Sequence, residues 1–137
     1  MEAGYSGTPL IKKLGIKETD KLKLINTPAE YYDWLGKDVS KQLCRKTEQP
    51  DFVHVFVDSN KIFEKTIQEL LVLIKPTTII WISWYKKSSG KQTDITEDVI
   101  RNYALKNNLV DVKVCAVSDE WSGLKLVVPL AKRNLFH

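Results

Sequence analysis

Lys86, Lys87 and Lys91 bracket Ser88, Ser89 and Gly90 in the run YKKSSGKQT, residues 85–93. Ammonium groups this close together attract an anion. The two hydroxyls, and backbone N–H groups beside a glycine, can donate hydrogen bonds to its oxygens. Thr93 closes the run with one more hydroxyl. The same composition also makes an ordinary solvated turn, because charged runs mostly face water. It is not a Walker A loop. G-x-x-x-x-G-K-[ST] needs Gly at 85 and Ser or Thr at 92, where the chain has Tyr85 and Gln92.

The other reactive side chains point to packing before catalysis. His54 stands mid-way through DFVHVFVD, among aromatic neighbours, and reads as a core histidine with its ring nitrogens satisfied. A general base needs an orienting acid. Asp58 is four residues on, about 13 Å along a strand, too far for contact. There is no Ser-His-Asp set, nucleophile elbow, paired-carboxylate motif or HExxH. Asp94, Glu97, Asp98, Asp119 and Glu120 are accounted for by helix capping and a turn. Cys44 and Cys115 form no CxxC, and with 2 histidines the chain offers no four-ligand zinc set without carboxylates. Both cysteines read as small buried hydrophobes in a reduced compartment. Trp121 precedes Ser122 and Gly123 at a hairpin tip, where an indole either contacts a ligand or folds back over the sheet edge.

The periodicity around these residues sets their positions. LIKKLGI predicts one or two helical turns stopped at Gly15. LKLIN, residues 22–26, predicts a strand, and AEYYDWLG a short helix ending at Gly36, with Pro28 near its first position. QLCRKT, residues 42–47, reads as a second strand. DFVHVFVD, residues 51–58, is apolar on both faces, as in a parallel sheet covered by helices on each side. Asp58, Ser59 and Asn60 offer caps for a helix over 61–74 with a buried stripe of Phe63, Ile67, Leu70, Leu71 and Ile74. TTIIWISW, residues 77–84, is another two-sided strand. It carries Trp81 and Trp84 on opposite faces, and Trp84 could floor a pocket. Asp94 with Glu97 resembles a capping box for the next helix, which turns Val99, Ile100, Tyr103 and Ala104 inward and stops at Asn107-Asn108. DVKVCAV, residues 111–117, and GLKLVVPL, residues 123–130, are separated by too few residues for a crossover helix, so they pair antiparallel. The expected architecture is therefore α/β: one small Rossmann-like domain over 1–137, with an N-terminal loop and short helix over 1–20. Its mostly parallel sheet is flanked by helices and ends in an antiparallel hairpin.

Composition limits the partners. The chain has 137 residues, 43% hydrophobic and 28% charged, which suits one soluble domain with its own core. A net charge of +4 permits an anionic partner without demanding one. The lysines are scattered rather than striped, so nucleic acid is not the expected partner. MEAGYSGTPL lacks a basic segment followed by an apolar one, and no run approaches the ~18 apolar residues of a membrane span, so a cytoplasmic location is expected.

Five stretches carry a resemblance: GYSGTPL with KKLGI, the W-x-S-W-x-K-K of Trp81, Ser83, Trp84, Lys86 and Lys87, the TDITEDV of Thr93 to Val99, VDVKVCAV, and the WSGL of Trp121 to Leu124. Together they resemble a small bacterial family of unknown function whose members are about this length. The order of elements is similar to the second half of the S-adenosylmethionine-dependent methyltransferase fold, where two late parallel strands precede a helix and a terminal antiparallel hairpin. In an open α/β sheet, ligands sit outside the carboxyl ends of parallel strands, beside a helix N-terminus. Residues 85–97 occupy that place, and Lys86, Lys87, Ser88, Ser89, Gly90, Lys91, Thr93 and Trp121 form the expected ligand-binding surface. That topology also implies a glycine-rich turn after the first strand, which lets the backbone approach a cofactor. Here the turn is LINTPAEYY, with a proline and no glycine. No cofactor and no catalytic residue is therefore expected, and the reading is a binding or regulatory domain for a small anion or a protein partner. In an alternative reading, the GYSGTP loop replaces the missing turn in an unorthodox methyltransferase, with Glu48 as the ribose-binding acid. A third reading is a weak nucleic-acid binder.

Overall fold

The computed structural model describes residues 8–137. Residues 1–7, where an N-terminal loop is expected, lie outside the described residues. Helix α1 (Leu10–Leu14) leads to strand β1 (Leu22–Ile25), helix α2 (Tyr31–Leu35), strand β2 (Phe52–Phe56), helix α3 (Asn60–Leu71) and strand β3 (Ile79–Tyr85). Helix α4 (Glu97–Lys106) and the hairpin strands β4 (Val110–Ala116) and β5 (Trp121–Val127) follow. The five strands form one sheet in the order β1-β2-β3-β5-β4. β1, β2 and β3 are parallel, while β5 runs antiparallel to both β3 and β4, so four strands point one way.

Two apolar clusters sandwich this sheet. On one face Val53, Val55, Ile80, Ile82, Trp84, Leu124 and Leu126 meet Phe63, Ile67 and Leu70 of α3 and Ile100 and Ala104 of α4. On the other, Leu22, Phe52, Phe56, Trp81 and Trp121 meet Leu14, Tyr31, Leu35 and Val39. Every residue of β2 is buried, because helices cover both of its faces. Trp81 and Trp84 point into opposite clusters, as their odd spacing requires. The indole Nε1–H of Trp81 donates to the Leu14 carbonyl at 2.9 Å and pins the end of α1 to the sheet. Gly15 (φ 80°) and Gly36 (φ 76°) end α1 and α2 in the left-handed region, where only glycine is unstrained. A Cβ at Gly123 would stand 3.1 Å from both Trp81 Cε3 and Val117 Cγ2, so β5 crosses close over the Trp81 indole, and a larger residue there would require these side chains to shift by a few tenths of an ångström.

Several expectations need correction. Residues 42–47 are not a strand. They make a single parallel bridge, Leu43 to Leu22, and then a turn in which Glu48 Oε1 accepts from Arg45 N. Leu43 is exposed and Arg45 and Lys46 are charged, so this segment has no apolar face to bury. Pro28 does not open α2, which begins at Tyr31 after Glu30. α4 is capped by Thr96, whose Oγ1 accepts from Val99 N, and not by Asp94. Asp94 instead accepts from Asn60 N at 2.7 Å. No helix among the described residues is long and apolar enough to cross a membrane.

Candidate functional site

The chain leaves β3 at Tyr85 and enters the lysine segment. Local hydrogen bonds shape that segment. Ser89 Oγ donates to the Lys86 carbonyl at 2.7 Å and accepts from Lys91 N at 3.2 Å. Gly90 takes a left-handed φ of 76° to turn the chain. Two neighbouring elements hold it in place. Lys86 N–H donates to the Glu120 carbonyl in the hairpin turn at 2.8 Å. Thr93 Oγ1 donates to the Asp58 carbonyl after β2 at 2.8 Å and accepts from Ile95 N.

The result is an open groove of about 900 Å³ at the carboxyl end of β3. Trp84 and Ile95 give it an apolar floor. Lys86, Lys87, Gly90, Lys91 and Thr93 form one wall, and the first turn of α4, from Thr96 to Asp98, forms the other. Five of the eight residues expected at the site thus line it. Ser88 is exposed outside it, Ser89 spends its hydroxyl on the loop itself, and Trp121 is turned away. Trp121 is 8% exposed and packs in the opposite cluster, stacked on Tyr85 at 4.0 Å and edge-on to Phe56 at 4.9 Å. It packs on the face of the sheet rather than over an edge, because β5, which carries it, is an interior strand between β3 and β4.

The charges of the groove divide into paired and unpaired. Glu97 and Asp98 are both bound by Arg101, which also reaches Asp111 at 3.0 Å. Lys91 pairs with Glu120 at 3.4 Å and sits 4.8 Å from the centroid of the Tyr85 ring. No ion pair among the described residues involves Lys86 or Lys87. Sequence reading missed Tyr85 and Glu120. Tyr85 becomes a wall of the groove because β3 runs one residue further than its apolar run. Glu120 reaches the lysines only through the β3–β5 register, which pairs Tyr85 with Trp121.

His54 lies in the core, fully buried on β2. Its Nδ1 is 2.8 Å from the Tyr31 hydroxyl and its Nε2 is 2.8 Å from Ser83 Oγ. A neutral imidazole has one donor and one acceptor nitrogen, and both are used. Burial pushes its pKa down to about 3 and pushes the Tyr31 phenol up. The chain of three groups ties α2 to β2 and β3 and has no opening to the groove.

The turn after β1 does not fit a cofactor bound in the manner of doubly wound enzymes. That manner needs strands on both sides of the first strand, so that a crevice opens where the strand order reverses. Here, among the described residues, β1 is the edge of the sheet, touched beyond only by the bridge to Leu43. Asn26 supplies the left-handed turn (φ 57°), and Thr27 and Pro28 follow without a glycine. Glu48 is at the wrong rim for a ribose. It pairs with Lys21 at 3.7 Å, at the amino end of β1, and the Arg45 backbone N–H holds its carboxyl below the usual range. Of GYSGTP, residues 4–7 lie outside the described residues, and Pro9 serves as the residue before α1.

No family model matches the chain, and no curated protein matches it in sequence. Solved structures do match. It is similar to a SAM-dependent methyltransferase from Aquifex aeolicus, with a TM-score of 0.63 and 15% identity over 88% of this chain and 88% of that one. The CcbJ methyltransferase from Streptomyces caelestis aligns with a TM-score of 0.54 and 6% identity, over 88% of this chain and 92% of that one. A protein of the NADB-Rossmann superfamily from Streptococcus agalactiae gives 0.54 and 11%, over 93% and 70%. The fold is methyltransferase-like. At these identities the likeness extends to the fold alone. Among the described residues no cluster of three His, Cys, Asp or Glu could hold a metal ion.

Proposed function

We propose that this chain is a cytoplasmic, methyltransferase-like binding domain that takes a small anionic ligand in the groove lined by residues 84–98, without catalysing a reaction. The observation that carries this reading is Lys86 and Lys87. They stand at the ligand end of a parallel sheet, over an apolar floor, and no carboxylate among the described residues pairs with them. The bulk of the titratable chemistry is already engaged, since His54 is sealed in the core and Arg101 binds the carboxylates of the far wall. The motif resemblance to a small bacterial family of unknown function belongs to the same proposal.

Isothermal titration with inorganic pyrophosphate tests it. Wild-type protein is expected to bind, and Lys86→Ala/Lys87→Ala to lose at least tenfold in affinity. Equal binding by both proteins overturns the assignment. The structural neighbours favour one second reading, an S-adenosylmethionine-dependent methyltransferase that dispenses with the glycine turn. Titration of that cofactor separates the two, because micromolar binding would replace the first reading with the second. A weak nucleic-acid binder would instead lose affinity steeply with added salt.

A further inference from the structure

The hairpin turn touches the lysine segment three times in succession. The Glu120 carbonyl accepts from Lys86 N–H at 2.8 Å, the Glu120 carboxylate pairs with Lys91 at 3.4 Å, and Trp121 stacks on Tyr85 at 4.0 Å. Lys91 Nζ also stands 4.8 Å from the centroid of the Tyr85 ring on which Trp121 stacks. So one of the three cations lining the groove already has a carboxylate partner built into the chain. We propose that Glu120 sets the specificity of the groove: by occupying Lys91 with a carboxylate, it selects phosphate-class dianions over monocarboxylates. This rests on the anion-binding reading above.

The physical reason is an exchange. A monocarboxylate ligand offers Lys91 the same single charge and the same two oxygens that Glu120 supplies intramolecularly, so replacing Glu120 gains nothing. A phosphate dianion brings nearly two charges and three acceptor oxygens at neutral pH. It can displace the carboxylate and still engage Lys86 and Lys87. Lys91 and Glu120 are about half exposed, 48% and 49%, so their pair is weak enough to be broken by such a ligand. Specificity then comes from a competitor inside the protein as much as from contacts to the ligand.

Binding of inorganic pyrophosphate and of acetate is measured for wild type, Glu120→Gln, Lys91→Ala and the double variant. Glu120→Gln keeps the backbone carbonyl that holds Lys86 N–H. It is expected to tighten pyrophosphate about two- to fivefold, the range an exposed pair can supply. Acetate binding should gain more than pyrophosphate binding does, narrowing the discrimination, and an equal gain for both overturns the specificity role. In the Lys91→Ala background the Glu120→Gln change should have no effect. Equal tightening in both backgrounds would mean a general charge effect and overturns the proposal, as does no tightening at all. Pyrophosphate binding that depends on Lys86 and Lys87 but ignores Glu120 removes only the specificity role. Absence of binding in every variant removes the anion-binding reading itself.

Discussion

His54 shows how much a single side chain can fix. Its ring stacks on Phe56 at 4.5 Å, meets Tyr31 edge-on at 5.2 Å, and spends both nitrogens on Tyr31 and Ser83. This arrangement satisfies both nitrogens of a buried imidazole, so the network helps to fix how α2 docks on the sheet. The cost appears in acid. In the folded chain the pKa is about 3 against 6.5 for the free group, so below pH 6.5 the unfolded chain binds a proton that the folded chain refuses. Stability is complete above pH 6.5 and falls as pH drops toward 3, by about 1.4 kcal/mol per unit. Urea unfolding is expected to show a loss of about 2 kcal/mol between pH 7 and pH 5. His54→Gln should be less stable at pH 7 but flat across that interval. A wild-type curve that is also flat would refute the buried neutral histidine. Glu48, held low by the Arg45 N–H, contributes stability that is fully present above its ordinary value of 4.5 and is lost only as pH falls below it, outside this window.

At the scale of elements, the long two-sided runs were legible in the sequence. β2 and β3 were read within a residue or two because burial on both faces leaves an unbroken apolar signal. The hairpin was legible from its short connection. Segment 42–47 was misread because a few mixed residues carry no period that separates a strand from a bridge and turn. The cap of α4 was misassigned because Asp94 and Thr96 both fit the rule, and only the backbone chooses between them. At Thr96 φ is −134° and ψ 168°, the extended geometry of a capping residue. Thr96→Ala is therefore expected to cost about 1 kcal/mol in thermal or urea unfolding. If Thr96→Ala unfolds like wild type, the cap assignment is wrong. The groove itself was half legible. Lysines and glycine mark a loop, but which of them face inward follows from the Ser89 and Thr93 bonds, which no composition reveals.

For the whole molecule, the decisive feature is that among the described residues the sheet ends at β1. The fold was readable because alternating strands and helices leave few ways to connect a mostly parallel sheet. That β1 is an edge was not readable, because the sequence between α2 and β2 looked like another strand. Among the described residues no strand lies beyond β1 and strand order does not reverse beside it; the groove lies at the end of β3, where the antiparallel β5 brings Glu120 and Trp121 alongside. The proposed ligand end therefore lies at the lysine loop and not at the β1 turn. Backbone amide chemical shifts recorded during a pyrophosphate titration test it most directly. The largest changes are expected at residues 86–97, with residues 26–30 unmoved. Changes concentrated at residues 26–30, with the lysine segment silent, would contradict it.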